Sequence, residues 1–174
     1  MSTPRNAVSA ILDPMVHSYL RGLAPEEDPL VDRLASHAEA RGFPLIGRDS
    51  GRWLELLTRA VGGRRVFEFG SGFGFSAFWF ARAVGPEGQV IGSEKDAHEI
   101  EAFHELYGDH PLRARIDIRQ GMAMEVFAST EGPFDVVLLD LDKEGYVDAM
   151  EAAVPRLRLG GLLLADNALW GGRV

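Results

Sequence analysis

Acidic and amide side chains follow four apolar segments of this 174-residue chain. An acid at such a position is usually a helix cap, so each one alone has an ordinary explanation. The carboxyl ends of parallel strands meet at one edge of a sheet, however, and ligands bind there. If the four segments are parallel strands, one edge of the sheet carries five acids and an amide: Glu68, Glu94, Asp140, Asp142, Asp166 and Asn167.

Asp140, Asp166 and Asn167 follow two segments that are expected to be neighbouring strands. Three oxygen ligands with space for water suit Mg²⁺, which keeps part of its hydration shell in proteins. A bound cation would also make the burial of these groups tolerable. The alternative is that Asp166 caps the next segment and Asn167 shapes a turn, and both interpretations stay open at this point.

Lys143 follows Asp140 by three residues, in the loop expected above the fourth strand. Next to a divalent cation and a cationic ligand, the pKa of a lysine is lowered by like charge. Such a lysine could serve as a general base. The alternative is a solvated loop lysine without a role in chemistry.

Three glycines, Gly70, Gly72 and Gly74, lie in "EFGSGFGFS" between a predicted strand and a predicted helix. Glycines there allow a tight turn and let a ligand approach the backbone closely. A dinucleotide-binding loop would need a small residue where Phe75 stands, and Glu68 would repel a pyrophosphate. The loop therefore favours a cationic ligand, and the alternative is a turn with a purely structural role.

Glu94 ends the second predicted strand, at about the separation from the glycine loop at which an acid that binds ribose is expected. Its carboxylate could accept hydrogen bonds from both ribose hydroxyls. The alternative is an ordinary surface acid.

The elements that must position these residues alternate from residue 65 onward. The predicted strands are "RVFEFG", "QVIGSE", "RIDIRQ", "FDVVLLD" and "GLLLAD", and the predicted helices are "FSAFWFARAV", residues 96–108, the stretch around "MAMEVFAS" and about 144–157. Nearly continuous apolar strands between helices predict an α/β fold with a doubly wound, Rossmann-like and mainly parallel sheet. We expect one domain over residues 1–174, with a helical lid or cap at 1–62 and the α/β core at 63–174.

The segment before residue 63 shows helical periodicity. "DPLVDRLASHAEARG" predicts a helix that ends at Gly42. A second helix is predicted to begin at a cap formed by Asp49 or Ser50 and to end at Gly62-Gly63. The apolar residues expected to face the core are Leu30, Val31, Leu34, Ala35 and Ala38 in the first helix, and Trp53, Leu54, Leu57 and Val61 in the second.

Composition narrows the class of partner. The net charge is −8, and no cluster of Lys or Arg appears, so nucleic acid is not expected as a partner. There are no cysteines, which excludes disulfides and thiolate metal sites. No apolar run reaches the length of a membrane span, so we expect no membrane partner and a cytoplasmic location.

Four stretches together carry a resemblance to a known family: "FEFGSGFGFSAFWFA", "GSEKD", "FDVVLLDLDKEGY" and "GGLLLADNALWGGRV". From about residue 44 to its end the chain resembles the class I S-adenosylmethionine-dependent O-methyltransferases of the cation-dependent type. Catechol and caffeoyl-CoA O-methyltransferases belong to this family. The last two stretches are the specific ones, since the glycine loop alone would fit many methyltransferases.

The resemblance implies a role for each matching position. The methionine part of S-adenosylmethionine would contact Glu68, Gly70, Ser71, Gly72, Gly74 and Ser76; the ribose Glu94; and the adenine Gly121, Met122 and Ala123. Asp140 and Asp142 would also face the cofactor. Asp140, Asp166 and Asn167 match the Mg²⁺ ligands, and Lys143 with Asp140 matches the catalytic groups. The implied acceptor is a small molecule of the catechol type, and the implied assembly is a homodimer.

Two departures from the family pattern stand out. The family usually adds two antiparallel strands after the "DN…WGG" stretch, whereas this chain stops at Val174, so we expect a truncated or unusually short member. An acid or a serine is common in the adenine stretch, whereas Met122 and Ala123 stand there. Two other functions stay open: a non-catalytic module that binds S-adenosylmethionine, and an NAD-type oxidoreductase.

Overall fold

The computed structural model describes residues 13–23 and 28–168, and its strands form one sheet. The strands are β1 (Arg65–Phe69), β2 (Gln89–Glu94), β3 (Ile116–Gln120), β4 (Phe134–Leu139) and β5 (Leu157–Ala165). Every pair is parallel, and the order across the sheet is β3-β2-β1-β4-β5. The strand order reverses between β1 and β4, which places the switch point of the sheet at their carboxyl ends.

Helices cover both faces of this sheet. They are α1 (Pro14–Gly22), α2 (Pro29–Arg41), α3 (Gly47–Ala60), α4 (Phe75–Ala83), α5 (Ala97–Tyr107), α6 (Ala123–Ser129) and α7 (Tyr146–Ala153). Residues from α2, α3, α4 and α5 share one hydrophobic cluster, and those from α6 and α7 share another. Successive strand residues point to opposite faces, so Val66 joins the first cluster and Phe67 the second. The predicted α/β doubly wound fold is confirmed.

The predicted C-terminal end of α2 and both predicted ends of α5 are also confirmed, whereas the cap at the start of α2 was not predicted. Asp28 and Asp96 are the N-caps of α2 and α5, and each side chain accepts a hydrogen bond from a backbone N–H two residues later. Gly42 follows α2 in the left-handed conformation, with φ 63°. Gly108 follows α5 and donates its N–H to the His104 carbonyl. Four of the five predicted core residues of α2 are buried: Leu30, Val31, Leu34 and Ala38.

The sequence-based description of α3 was wrong in two respects. The helix begins at Gly47, so Asp49 and Ser50 lie inside it, and the cap position is occupied by Ile46 without a side-chain hydrogen bond. Trp53, predicted to face the core, is 59% exposed. The buried stripe instead contains Gly51, Leu54 and Thr58. The physical reason is close packing on α4, because a β-carbon at Gly51 would overlap the indole ring of Trp79.

The segment from 143 to 157 is less regular than the single helix predicted there. Short 3₁₀ turns at Lys143–Gly145 and Val154–Arg156 flank α7, and Pro155, which lacks an N–H, lies in the second turn. β5 then begins four residues earlier than the predicted "GLLLAD". Residues 1–12 and 24–27 of the predicted lid, and residues 169–174 of the last motif, lie outside the described residues. Among the described helices, none combines the length and apolar character needed to cross a membrane.

Candidate functional site

A cavity of about 920 Å³ lies at the carboxyl ends of the strands. Its wall also includes the loop between α2 and α3, with Phe43, Pro44, Leu45 and Ile46. Glu68 and Gly74 are not part of the wall. The other predicted site residues all line the cavity: Gly70, Ser71, Gly72, Ser76, Glu94, Gly121, Met122, Ala123, Asp140, Asp142, Lys143, Asp166 and Asn167.

The glycine loop between β1 and α4 depends on left-handed backbone. Gly70, Gly72 and Gly74 have φ values of 82°, 51° and 88°. At Gly70 a β-carbon would overlap the Asp140 carbonyl oxygen and lie 3.1 Å from its carbonyl carbon. A glycine is therefore required at position 70 both for its conformation and for its contact with the tip of β4.

Glu94 holds the glycine loop against the end of β2. One carboxylate oxygen accepts the Gly72 N–H at 2.9 Å, and the other accepts the Asp96 N–H at 2.8 Å. Each oxygen keeps further acceptor capacity toward the cavity. The acid singled out for ribose binding thus also shapes the loop on which a cofactor would rest.

Glu68 is completely buried below the glycine loop. The pKa of its carboxyl is raised to about 7, chiefly by burial, with a smaller contribution from the charges of Asp140 and Glu94. The Ser76 and Ser71 hydroxyls lie close enough to lower the pKa, but neither makes a hydrogen bond of normal geometry with the carboxylate. A buried acid without hydrogen-bond partners is costly, and a cation bound at the loop would offset that cost.

Asp140, Asp166 and Asn167 converge at the tips of β4 and β5. The pKa of Asp140 is raised to about 6 by burial and, to a smaller extent, by the nearby Asp166 charge, while Lys143 opposes the increase. Asn167 donates its side-chain N–H to Asp166 Oδ2 at 2.7 Å. The predicted neighbours are therefore brought together, with two carboxylates near enough to repel each other.

This donor set fits a hard divalent cation. Within residues 13–23 and 28–168, no group of three or more His, Cys, Asp or Glu side chains could hold a metal ion. A metal at this edge would therefore need the amide of Asn167 beside the carboxylates of Asp140 and Asp166. Two carboxylates, an amide and water are ligands that Mg²⁺ accepts.

Lys143 contacts Tyr146, a residue that the sequence analysis did not single out. Lys143 Nζ lies 2.5 Å from Tyr146 Oη and donates to the Asp166 carbonyl oxygen at 3.1 Å. Burial, together with the charges of Asp140 and Asp166, raises the pKa of the Tyr146 phenol well above its usual range. The phenol therefore stays protonated at neutral pH. The signal for this contact is the i, i+3 spacing within "KEGY".

The rim of the cavity carries exposed side chains. Asp142, predicted to face the cofactor, forms an exposed ion pair with Lys95 at 3.6 Å. Met122 is 58% exposed at the predicted adenine position, and Met124 lies beside it in the cavity wall. The polar side chain expected at this position is thus replaced by an exposed apolar surface.

Two supporting residues were missed by the sequence analysis. The Tyr107 hydroxyl, on α5, donates to the Gly74 carbonyl at 2.6 Å. Gly92 lies in the middle of β2, where a β-carbon would overlap Ser71 Oγ. A glycine inside a strand pattern is the available signal for such a close approach.

Comparison with known proteins gives a consistent family assignment. The sequence profile of the O-methyltransferase family matches residues 26–174. A catechol O-methyltransferase of Mycobacterium tuberculosis is 30% identical over 164 residues, which cover 92% of this chain and 74% of that enzyme.

Solved structures agree with this match. A methyltransferase structure from Geobacter sulfurreducens superposes with a TM-score of 0.84 and 32% identity, over 94% of this chain and 84% of that one. An O-methyltransferase of Streptomyces achromogenes, solved with SAM, superposes with a TM-score of 0.82 and 25% identity, over 91% of this chain and 74% of that one. The chain therefore belongs to the class I S-adenosylmethionine-dependent O-methyltransferase family.

Proposed function

We propose that this chain transfers a methyl group from S-adenosylmethionine to a hydroxyl of a small acceptor with vicinal hydroxyls, such as a catechol, assisted by a divalent metal. One observation carries the proposal: Lys143, Asp140, Asp166 and Asn167 line the same cavity as the glycine loop. The similarity to a catechol O-methyltransferase supports the acceptor class.

The cofactor half of the site consists of the glycine loop and the tips of β1 and β2. S-Adenosylmethionine, when bound, supplies an electrophilic methyl group on a sulfonium. The unpaired carboxylate of Glu68 favours a cationic ligand above it, and Gly70, Ser71, Gly72 and Ser76 line the wall against the methionine part. Glu94 would accept the ribose hydroxyls, and Gly121, Met122 and Ala123 would contact the adenine, with Asp142 at the rim.

The acceptor half of the site consists of the tips of β4 and β5. Asp140, Asp166 and Asn167 would hold Mg²⁺, which when bound lowers the pKa of a coordinated hydroxyl. Lys143 lies next to the Asp166 carbonyl and would accept the proton of the acceptor hydroxyl. Alignment of the two halves across the switch point supplies much of the expected acceleration.

An NAD-type oxidoreductase is disfavoured by the same residues. Glu68 is buried directly below the loop that would hold a pyrophosphate, and Phe75 occupies the position of a small residue. A non-catalytic module that binds S-adenosylmethionine has no need for Lys143 and two carboxylates in one cavity.

Calorimetry with S-adenosylmethionine, with and without Mg²⁺, and a methyl-transfer assay on catechol test the proposal. We expect Asp140→Asn to lower Mg²⁺-stimulated transfer by about a hundredfold or more, whereas binding of S-adenosylmethionine should fall much less. Asp109→Asn, an exposed acid after α5, is the matched control and should retain transfer. Unchanged transfer in Asp140→Asn would show that the metal mechanism is wrong.

Homodimer formation and a cytoplasmic location, both expected from the sequence, stay predictions. Light scattering after size exclusion tests the first of them.

A further inference from the structure

We infer that Tyr146 is a positioning residue that orients the Lys143 amine for proton transfer from the acceptor. This inference rests on the proposed function, in which Lys143 is the general base. Tyr146 was not among the site residues predicted from the sequence.

The Tyr146 hydroxyl lies at the junction of the two strand tips. It is 2.9 Å from the Leu139 carbonyl oxygen and 2.8 Å from the Asp166 carbonyl oxygen. Leu139 is the last residue of β4, and its carbonyl also accepts the Asp166 N–H at 3.0 Å. Tyr146 is the first residue of α7, so its backbone is fixed by a helix while its hydroxyl reaches back to the sheet.

These contacts determine how the Lys143 amine can point. In the role of base that the proposed function gives it, the Lys143 amine would have two N–H bonds and one lone pair. Tyr146 Oη and the Asp166 carbonyl oxygen provide two acceptors for those N–H bonds. The lone pair is then left for the cavity, which Lys143 lines. Nζ also lies 4.1 Å from the centroid of the Tyr146 ring, which would attract the ammonium formed when the amine takes up the proton.

The proton transfer balances with these groups alone. The acceptor O–H bond breaks, its electron pair stays on the acceptor oxygen, and a new N–H bond forms at Lys143 Nζ. The resulting ammonium keeps its hydrogen bonds to Tyr146 and to the Asp166 carbonyl. Tyr146 itself neither gains nor loses a proton, because its O–H faces only the Leu139 and Asp166 carbonyl oxygens, which accept hydrogen bonds but not its proton.

The decisive test is Tyr146→Phe assayed with catechols of decreasing hydroxyl pKa. An acceptor whose hydroxyl is already ionised needs no base. A variant with an impaired base should therefore methylate such an acceptor as fast as the unmodified chain does. We expect kcat to fall by about tenfold to a hundredfold with catechol and by less than about threefold with a nitrocatechol, while the Kd of S-adenosylmethionine stays the same. A uniform defect across the series, or a changed Kd, would indicate a structural role and overturn the inference.

Tyr107→Phe is the matched comparison, because it also removes a hydroxyl that bonds a backbone carbonyl. It should weaken binding of S-adenosylmethionine and reduce transfer equally for every acceptor. Absence of transfer by the unmodified chain on all catechols would instead contradict the proposed function.

A second measurement does not depend on activity. The chain contains only two lysines, Lys95 and Lys143, so the exposed Lys95 is an internal reference for amine labelling. Reductive methylation followed by peptide mass spectrometry should label Lys143 more slowly than Lys95 in the unmodified chain. We expect Tyr146→Phe to raise the Lys143-to-Lys95 ratio severalfold, and an unchanged ratio would show that the hydroxyl does not hold the amine.

Discussion

Gly92 leaves the space that the Ser71 side chain occupies. A β-carbon at position 92 would overlap Ser71 Oγ and lie 2.9 Å from Ser71 Cβ. Gly92 is paired with Glu68 across β1 and β2, and the Ser71 N–H bonds the Ser93 carbonyl at 2.9 Å. The missing side chain in β2 therefore allows the glycine loop to fold back over the sheet.

Replacing Gly92 with alanine should disturb the loop without straining the backbone of β2. The added carbon meets the Cβ of Ser71, which cannot rotate away, so we expect a loss of about 1–3 kcal/mol in the free energy of unfolding. Binding of S-adenosylmethionine should weaken by about tenfold or more. Urea denaturation and calorimetry measure the two effects.

Adding Ser71→Gly to Gly92→Ala should recover much of the lost stability, because it removes both clashing atoms. Gly22→Ala is the control, since a β-carbon there meets nothing within 4 Å. Equal stability of the single and double variants would show that Ser71 is not the cause.

The buried carboxyl of Glu68 should make stability depend on pH. Its pKa is about 7 in the folded chain against an ordinary value of 4.5, so the folded state holds the proton more tightly than the unfolded state. The contribution of the protonated Glu68 to the free energy of unfolding is fully present below pH 4.5, and it is lost as the pH rises through 7. From the size of the shift, the loss is on the order of 3 kcal/mol.

Glu68→Gln should flatten this dependence, as measured by urea denaturation from pH 4.5 to 8. Asp140, with a raised pKa of about 6, contributes a slope of the same sign at lower pH, so a part of the dependence should remain. The exposed Glu87→Gln should keep the full dependence. A Glu68→Gln curve that runs parallel to that of the unmodified chain would contradict the raised pKa.

Mg²⁺ affinity should rise with pH for a related reason. In the proposed function, Mg²⁺ binding would need the ionised form of Asp140, whose pKa is about 6. We expect the association constant to increase about tenfold per pH unit below pH 6 and to level off above it. Calorimetric titrations with Mg²⁺ at pH 5, 6 and 7.5 measure the trend, and an affinity independent of pH would argue against Asp140 as a ligand.

The ion pair between Arg41 and Glu99 should contribute more than a surface pair. Arg41 Nη1 lies 3.1 Å from Glu99 Oε2, and the Glu99 side chain is only 6% exposed. Arg41→Met leaves this acid buried without its cation, which should lower the free energy of unfolding by more than the loss of an exposed pair does. Urea denaturation gives the value.

Arg119→Met is the matched control, because the side chains of Arg119 and its partner Asp117 are 39% and 43% exposed. Its expected cost is about 1 kcal/mol or less. A double variant in which both Arg41 and Glu99 become methionine should recover part of the loss. Similar costs for Arg41→Met and Arg119→Met would show that burial of Glu99 does not matter.

The strands and the site edge were predictable because both follow from short sequence patterns. Apolar runs that end on Glu94, Asp140 and Asp166 identify the strand tips, and parallel pairing then brings the acids together. The closely spaced Gly70, Gly72 and Gly74 likewise indicated a loop between a strand and a helix.

What could not be predicted depends on contacts between distant segments. Trp53 is exposed because Gly51, not the larger residue, faces Trp79 across 28 positions of sequence. The roles of Tyr107 and Gly92 arise from atoms of the glycine loop that come close only after the sheet has formed. Periodicity within one helix or strand contains no information about such partners.

The tips of three adjacent strands are tied together by main-chain hydrogen bonds. The Asp140 N–H bonds the Phe69 carbonyl and the Asp166 N–H bonds the Leu139 carbonyl, each at 3.0 Å. The backbone distance between Asp140 and Asp166 is thus set by the spacing of neighbouring strands, about 4.8 Å, which does not depend on the side chains around them. Substitutions in the surrounding loops can therefore reshape the cavity while the backbone positions that carry Asp140 and Asp166 keep their spacing.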